Sequence, residues 1–153
     1  MEENNKAYTY LIRILTKRDY SEYKLRQKLK EKGFEEFDAE EAISLVKEKN
    51  YLREDYYIEA RVKGLMHKGN SPTYIQNKLR EEMLDVSTEL ILDIFKENHQ
   101  TIEEQIKYLA NKKLRSSVGK DPYKAREKAL AYVIGKGHNY SESKHIIDSM
   151  ITD

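Results

Sequence analysis

A nine-residue segment of this chain occurs twice, and a weaker third copy follows. The segment SEYKLRQKL at residues 21–29 returns fifty residues later as SPTYIQNKL at residues 71–79. In the third copy, the offsets of Ser21, Leu25, Leu29 and Gly33 are occupied by Ala125, Ala129, Val133 and Gly137. Because a repeat of about 50 residues buries little apolar surface alone, its copies stack on their neighbours. The sequence therefore predicts a tandem array.

Each repeat carries the boundary residues of three helices. In the first repeat, residues 7–15 are apolar at helical spacing, Ser21 is an N-cap for the next helix, and Gly33 ends that helix. Asp38 and Glu41 have the spacing of a capping box for a third helix. The corresponding starts in the later repeats are Ser71 followed by Pro72, Ser87, Thr101, Asp121 followed by Pro122, and Ser141.

These boundaries predict an all-α fold. No stretch has the alternation of a strand, and a chain with 36% charged residues, two prolines and six glycines is typical of solvated helices. We expect an elongated tandem array of three three-helix repeats, about nine helices in helix-turn-helix-like units, at residues 6–52, 53–99 and 100–153. Met83 stands where the first repeat has Gly33, which predicts a differently built turn. Residues 116–120 are predicted to form a loop.

Several function classes find no support in the sequence. Cysteine is absent, and none of the four histidines forms the i, i+4 pair of a helical zinc site. Leu114 replaces the first glycine of a phosphate loop before Gly119 and Lys120. The start, MEENNK, is acidic where a signal peptide is basic, and no apolar run approaches the ~20 residues of a membrane helix. We expect a cytoplasmic monomer without enzyme activity, cofactor, metal or membrane contact.

Charge is distributed along the chain in blocks, although the net charge is only +1. Residues 6–33 hold nine Lys or Arg against three acids, and residues 34–59 hold three against nine. Such blocks are either solvated faces that neutralise one another, or a basic track for a polyanion or a partner with matching strips. The second interpretation predicts these contact residues: Arg13, Lys17, Arg18, Lys24, Lys28, Arg61, Lys63, Lys78 and Arg80.

Tyrosines and the helix-turn-helix likeness allow two further interpretations. Tyrosines beside basic segments are candidates for stacking on single-stranded bases, whereas those between the first two repeats are candidates for packing. Helix-turn-helix units read bases from the start of one helix, but most three-helix units serve only to bury apolar stripes. The stacking candidates are Tyr20, Tyr23, Tyr74 and Tyr123, the packing candidates are Tyr51, Tyr56 and Tyr57, and the reading candidates are Tyr74, Gln76 and Asn77.

Longer motifs in the first two repeats resemble the RecX family of bacterial recombination regulators. They are KRDYSEYKL at 17–25, YLREDYYIEA at 51–60 and KGNSPTYI at 68–75, together with Lys28-Leu29 and Lys32-Gly33-Phe34. The third repeat resembles the family at Lys128, Gly137 and Tyr140-Ser141. The chain departs from the family pattern at Met83-Leu84, where a glycine is usual, and at His138, where an aromatic residue is usual.

The resemblance implies a fold and a partner. Family members are arrays of three-helix repeats without enzyme activity that act on RecA in DNA repair, homologous recombination and the SOS response. They bind along the groove of the RecA nucleoprotein filament on single-stranded DNA, block its growth or promote its disassembly, and lower ATPase, strand exchange and co-protease activities. DNA phosphate is a possible second contact. Two alternatives stay open: a protein that binds single-stranded or double-stranded DNA without RecA, and a scaffold for another helical protein.

Overall fold

The computed structural model describes residues 5–152, and the regular structure in that range is entirely helical. The all-α prediction is confirmed. No helix in the described range has the length and apolar content to cross a membrane. Residues 1–4, on which the interpretation of the N-terminus depends, lie outside that range. The helices within residues 5–152 number nine: α1 Lys6–Leu15, α2 Glu22–Glu31, α3 Glu36–Glu48, α4 Glu54–His67, α5 Pro72–Glu81, α6 Thr88–Glu97, α7 Ile102–Arg115, α8 Pro122–Gly135 and α9 Tyr140–Thr152.

The chain divides into two compact units, Met1–Arg61 and Val62–Asp153. The division falls inside α4, so the repeat boundaries at 6–52, 53–99 and 100–153 stay a prediction. Each unit has a core in which apolar stripes from three helices meet. The first core comprises Ala7, Leu11, Leu25, Leu29, Ala42, Ile43 and Val46 of α1, α2 and α3. The second comprises Ile106, Leu109, Ala110, Ala129, Leu130, Val133, Ile146 and Ile147 of α7, α8 and α9.

Side-chain caps begin five helices at the predicted residues. Each cap oxygen accepts a hydrogen bond from a backbone amide of the first turn, which would otherwise lack a partner within the helix. The loop predicted at 116–120 also lies outside the helices, in the turn after α7. The confirmed caps are Ser21, Ser71, Ser87, Thr101 and Asp121.

Two predicted helix starts are wrong. Helix α3 begins at Glu36, after Glu35, which makes no side-chain cap, so Asp38 lies within its first turn. Gly33 follows α2 in the left-handed conformation and reverses the direction of the chain just before α3. Glu36 and Asp38 in the first turn of α3 then interact favourably with the positive end of the helix dipole, without a side-chain cap. Helix α9 begins at Tyr140, and its cap is Asn139 in place of the predicted Ser141. Oδ1 of Asn139 accepts a hydrogen bond from the amide of Glu142 at 2.9 Å.

The turn after α5 also differs from its prediction. Met83 has φ +61°, so it adopts the left-handed conformation of Gly33, whose φ is +83°. The amide of Leu84 donates to the carbonyl of Leu79 at 2.9 Å, as that of Phe34 donates to Leu29 at 3.2 Å. The Met83 side chain is 72% exposed and therefore does not clash with the turn. The two repeats build the same turn, and the second keeps a strained methionine in it.

Met83→Gly is expected to raise the free energy of unfolding by about 0.5–1 kcal/mol. Glycine has no Cβ and so removes the cost of the left-handed backbone, about 1–2 kcal/mol. Its greater conformational freedom in the unfolded chain offsets part of this stabilisation. Urea unfolding of the wild type and the variant measures the difference. Met83→Ala is the control, because alanine keeps the Cβ and should give no gain. Equal free energies of unfolding for the glycine and alanine variants would show that the left-handed backbone at Met83 is not strained.

A network of hydrogen bonds within the second unit holds the α4–α5 turn against α7 and the α8–α9 turn. Nε2 of Gln105 donates to the carbonyl oxygens of Met66 and Asn70, at 3.0 and 2.9 Å. Nε2 of His138 lies 2.8 Å from the carbonyl oxygen of Gly69. Since a carbonyl oxygen only accepts, Nε2 carries the proton and Nδ1 does not. His138 is only 5% exposed, and its Nδ1 has no protein partner among the described residues.

The stability of the protein is expected to fall as the pH drops below about 6.5, the ordinary pKa of histidine. Burial lowers the pKa of His138 in the folded state, despite its bond to Gly69 and the nearby charge of Glu142. The unfolded chain therefore binds this proton first, which favours unfolding at acidic pH. His138→Gln keeps a donor for the carbonyl oxygen and does not titrate.

Urea unfolding at several pH values, for both proteins, measures the effect. Because the other three histidines remain in both, a flatter dependence in the variant isolates His138. An equal dependence of the free energy of unfolding on pH in both proteins would show that the folded state accommodates the charged imidazole of His138.

A candidate partner-binding face on the first unit

The predicted contact residues are divided between the two units. Arg13, Lys17, Arg18 and Lys24 are exposed in the first unit, and Lys28 is half-buried there. Arg61 and Lys63 lie on either side of the division in α4, are half-buried, and are each already engaged by another group. In the second unit, Nζ of Lys78 pairs with Glu81 at 3.4 Å, and Nη1 of Arg80 donates to Oδ1 of Asn77 at 3.1 Å.

One side of α2 is neutralised by acidic residues. The guanidinium of Arg26 pairs with Glu22 at 3.1 Å and with Glu40 of α3. Nζ of Lys47 lies 2.9 Å from Glu22. Hydrogen bonds from Lys47 and then Arg26 hold the pKa of Glu22 below its usual range. On this side of the helix, basic and acidic blocks neutralise each other, as the first interpretation of the charge pattern predicts.

The other side of α2 carries cations without acidic partners. Lys24 and Lys28 are four residues apart and share a helix face, which Lys32 continues just beyond the helix. Nζ of Lys28 and Cζ of Arg18 lie 5.2 and 5.1 Å from the centroid of the Tyr20 ring. No ion pair to these cations forms among residues 5–152. Their charge is therefore available to a partner.

Helix α1 adds a second group of cations around Tyr10. Cζ of Arg13 and Nζ of Lys32 lie 5.4 and 5.6 Å from the centroid of that ring. The ring of Phe34 packs against it, with centroids 5.9 Å apart. A groove of about 250 Å³ opens here, lined also by Lys6 and Thr9. Since Lys32 links both groups, we define the basic face as Arg13, Arg18, Lys24, Lys28 and Lys32.

Sequence reasoning missed part of this face. The spacing of Lys24, Lys28 and Lys32 at i, i+4 and i+8 contained the information needed to include Lys32. No local pattern places Tyr10 between Arg13 and Lys32, because that contact joins α1 to the end of α2. Lys17, which was predicted, is exposed but makes no contact with either tyrosine in the structure.

The structure buries the candidate tyrosines to different extents. Tyr57 is buried, and Tyr51 and Tyr56 are about half exposed, which is compatible with packing residues whose hydroxyls reach solvent. Tyr20 is half-buried and already has two cations on its ring. Among the base-reading candidates, Gln76 donates its amide to the carbonyl oxygen of Val86 at 2.9 Å and thus serves the fold.

No group of three or more His, Asp or Glu side chains in the described part of the chain could hold a metal ion. The basic face is the arrangement of charged side chains with the clearest capacity for recognition. Its cations can pair with carboxylates or phosphates.

Comparison with known proteins places these features in a family. The family model for the first three-helix domain of RecX matches residues 7–44. Regulatory protein RecX of Vibrio parahaemolyticus serotype O3:K6 is 30% identical over 136 residues, which are 89% of this chain and 86% of that protein. Regulatory protein RecX of Haemophilus influenzae strain 86-028NP is 28% identical over 141 residues, 92% of either chain.

The fold also matches a solved structure. The match to the crystal structure of a regulatory protein RecX covers 94% of this chain and 70% of that chain. Its TM-score is 0.73, and the two sequences are 22% identical. The fold and the matched domain define an all-α protein built from three-helix units. The chain belongs to the RecX family of regulatory proteins.

Proposed function

We propose that this protein is a non-enzymatic inhibitor of RecA. It binds the RecA filament on single-stranded DNA and blocks filament extension, ATPase activity and strand exchange. Membership of a family of regulatory proteins supports a regulatory role. The proposal implies action in the cytoplasm, as a monomer, during DNA repair by homologous recombination and in the SOS response.

The basic face is the observation that carries the proposal. Its five cations have no acidic partner among residues 5–152, whereas Arg26 on the same helix is fully engaged by Glu22 and Glu40. A filament of protein on DNA offers both carboxylates and phosphates. Complementary charge of this kind speeds association and selects the partner, and it weakens as salt is added.

The test is the single-stranded-DNA-dependent ATPase of RecA, titrated with this protein. Binding of the protein to the same DNA without RecA is measured in parallel. Inhibition at well below one protein per RecA monomer, with little affinity for free DNA, is the expected result. Full ATPase activity at a several-fold excess of this protein would contradict the proposal.

Direct DNA binding without RecA is the second candidate. The observation in its favour is the set of tyrosine rings with cations beside them, since aromatic and basic groups together bind single strands. This candidate predicts tight binding to an oligonucleotide with a steep salt dependence. It also predicts that RecA inhibition disappears when free DNA is added in excess.

A further inference from the structure

Two surface grooves lie on either side of α1 in the first unit. One is the basic groove of Lys6, Arg13 and Lys32 beside Tyr10. The other, called the apolar groove for its side chains of Tyr8, Ile12, Leu15 and Tyr51, has a volume of about 630 Å³ and is also lined by Thr9, Thr16, Asn50 and Arg53. Thr9 lines both grooves, so they meet along the exposed side of α1. Helix α1 thus forms a ridge, with the apolar groove on one side and the basic groove on the other.

The apolar groove exists because α1 has more than one apolar stripe. Ala7 and Leu11 are fully buried in the core of the unit. Tyr8, Ile12 and Leu15 follow at i, i+4 and i+7, which is the spacing of a second helix face. They are only half-buried, so this stripe is incompletely covered within the unit. These side chains pack against the core with one part of their surface and leave the other part for the apolar side of another helix.

We propose that α1 is the docking ridge for an acidic amphipathic helix of a partner protein. The apolar side of that helix lies in the groove beside Ile12 and Leu15. Its carboxylates face the cations of the basic groove, where no ion pair forms among residues 5–152. Where the proposed function on which this assignment rests holds, the helix belongs to RecA, and the contact is made to protein as well as to the DNA it covers.

Charge and shape together favour a helix over a nucleic acid strand at this ridge. A phosphate backbone would satisfy the cations but would leave the aliphatic groups of Ile12 and Leu15 uncovered. Ten residues of α1 extend about 15 Å, which matches two to three turns of a partner helix. Helix-in-groove recognition uses apolar anchors at this spacing and leaves the polar side to select the partner.

The first experiment uses a synthetic probe with the full chain. A fluorescein-labelled peptide of about 18 residues, with leucine along one helical face and glutamate elsewhere, is compared with a scrambled peptide of the same composition. Fluorescence anisotropy should show binding of the amphipathic peptide and much weaker binding of the scrambled one. Equal binding of the two would overturn the proposal, since net charge alone would then explain the affinity.

Variants place the contact on α1. Thr9→Glu adds a carboxylate where the grooves meet and should weaken peptide binding by about tenfold or more, because like charges oppose each other there. Ser44→Glu, at an exposed position of α3, is its control and should bind as the wild type does. Tyr51→Ser removes an exposed aromatic from the apolar groove and should also weaken binding, whereas Phe37→Ser removes an exposed aromatic outside it and should not.

Two competitors test the other occupants of the ridge. A thymidine oligonucleotide that displaces the peptide, and whose own binding falls in Thr9→Glu, would assign the ridge to nucleic acid. A dimer of this chain that dissociates in Thr9→Glu, by analytical ultracentrifugation, would assign it to a second copy. Either result would overturn the proposal.

Binding to RecA without DNA separates this inference from the proposed function. Weakened RecA binding by Thr9→Glu and normal binding by Ser44→Glu would support both. If the wild type inhibits RecA and Thr9→Glu inhibits equally, the proposed function stands and the docking ridge is wrong. If the amphipathic peptide binds at the ridge but the wild type neither binds nor inhibits RecA, the ridge stands and the proposed function is wrong.

Discussion

Reversing two charges of the basic face, in Lys24→Glu/Lys28→Glu, is expected to weaken the inhibition of the RecA ATPase strongly. Both lysines lie on the side of α2 that no acidic residue of the described chain neutralises. Reversal replaces attraction to an anionic partner by repulsion at two adjacent positions. The concentration needed for half-inhibition should rise on the order of 100-fold, about 1.4 kcal/mol for each reversal. The measurement is an ATPase titration with each protein.

Lys124→Glu/Lys128→Glu is the matched control for this variant. These lysines are exposed and, like Lys24 and Lys28, four residues apart, but they lie on α8 of the second unit. The control carries the same net charge change and should inhibit nearly as well as the wild type. If both double variants lose inhibition equally, the effect is one of net charge. If neither loses it, the contact lies on another surface. Circular dichroism of each variant verifies that the helices remain.

Gly137→Ala is expected to lower the free energy of unfolding by about 3 kcal/mol or more. A Cβ at this residue would lie 2.6 Å from Oγ of Ser71 and 2.6 Å from Cβ of Tyr74, closer than a Cβ atom approaches any non-bonded atom in a folded protein. Ser71 cannot withdraw freely, because its Oγ donates to the carbonyl oxygen of Gly137 at 2.8 Å and caps α5. Forced contacts in a packed region cost about 1–3 kcal/mol, and the left-handed φ of +94° adds about 1–2 kcal/mol.

Gly33→Ala separates the two parts of that loss. Gly33 has a similar φ of +83°, but an added Cβ there would meet nothing within 4 Å. We therefore expect only the backbone penalty, about 1 kcal/mol. Urea unfolding of both variants gives the contact contribution as the difference between them. Equal losses would mean that Ser71 and Tyr74 move aside at little cost.

Local chemistry explains which parts of the fold were predictable. A cap such as Ser21 or Thr101 acts on amides within three residues, so its effect is present in the sequence itself. The resemblance that indicated the family likewise rests on short contiguous motifs. The start of α3 was misplaced because Asp38 has the right spacing for a cap but the preceding turn brings the chain into the helix earlier. The Met83 turn was misjudged because an exposed side chain can accept a left-handed backbone at moderate cost.

The candidate site shows what local sequence determines and what packing determines. Lys24, Arg26 and Lys28 are neighbours on one helix with similar chemistry, and their spacing alone predicts which of them share a face. Their different roles depend on α3, because its Glu40 approaches Arg26 and no acidic residue of the described chain pairs with Lys24 or Lys28. Helix content, caps and faces arise from interactions within about four residues. Charge neutralisation and the grooves beside α1 arise from contacts between distant segments, so tertiary packing determines them.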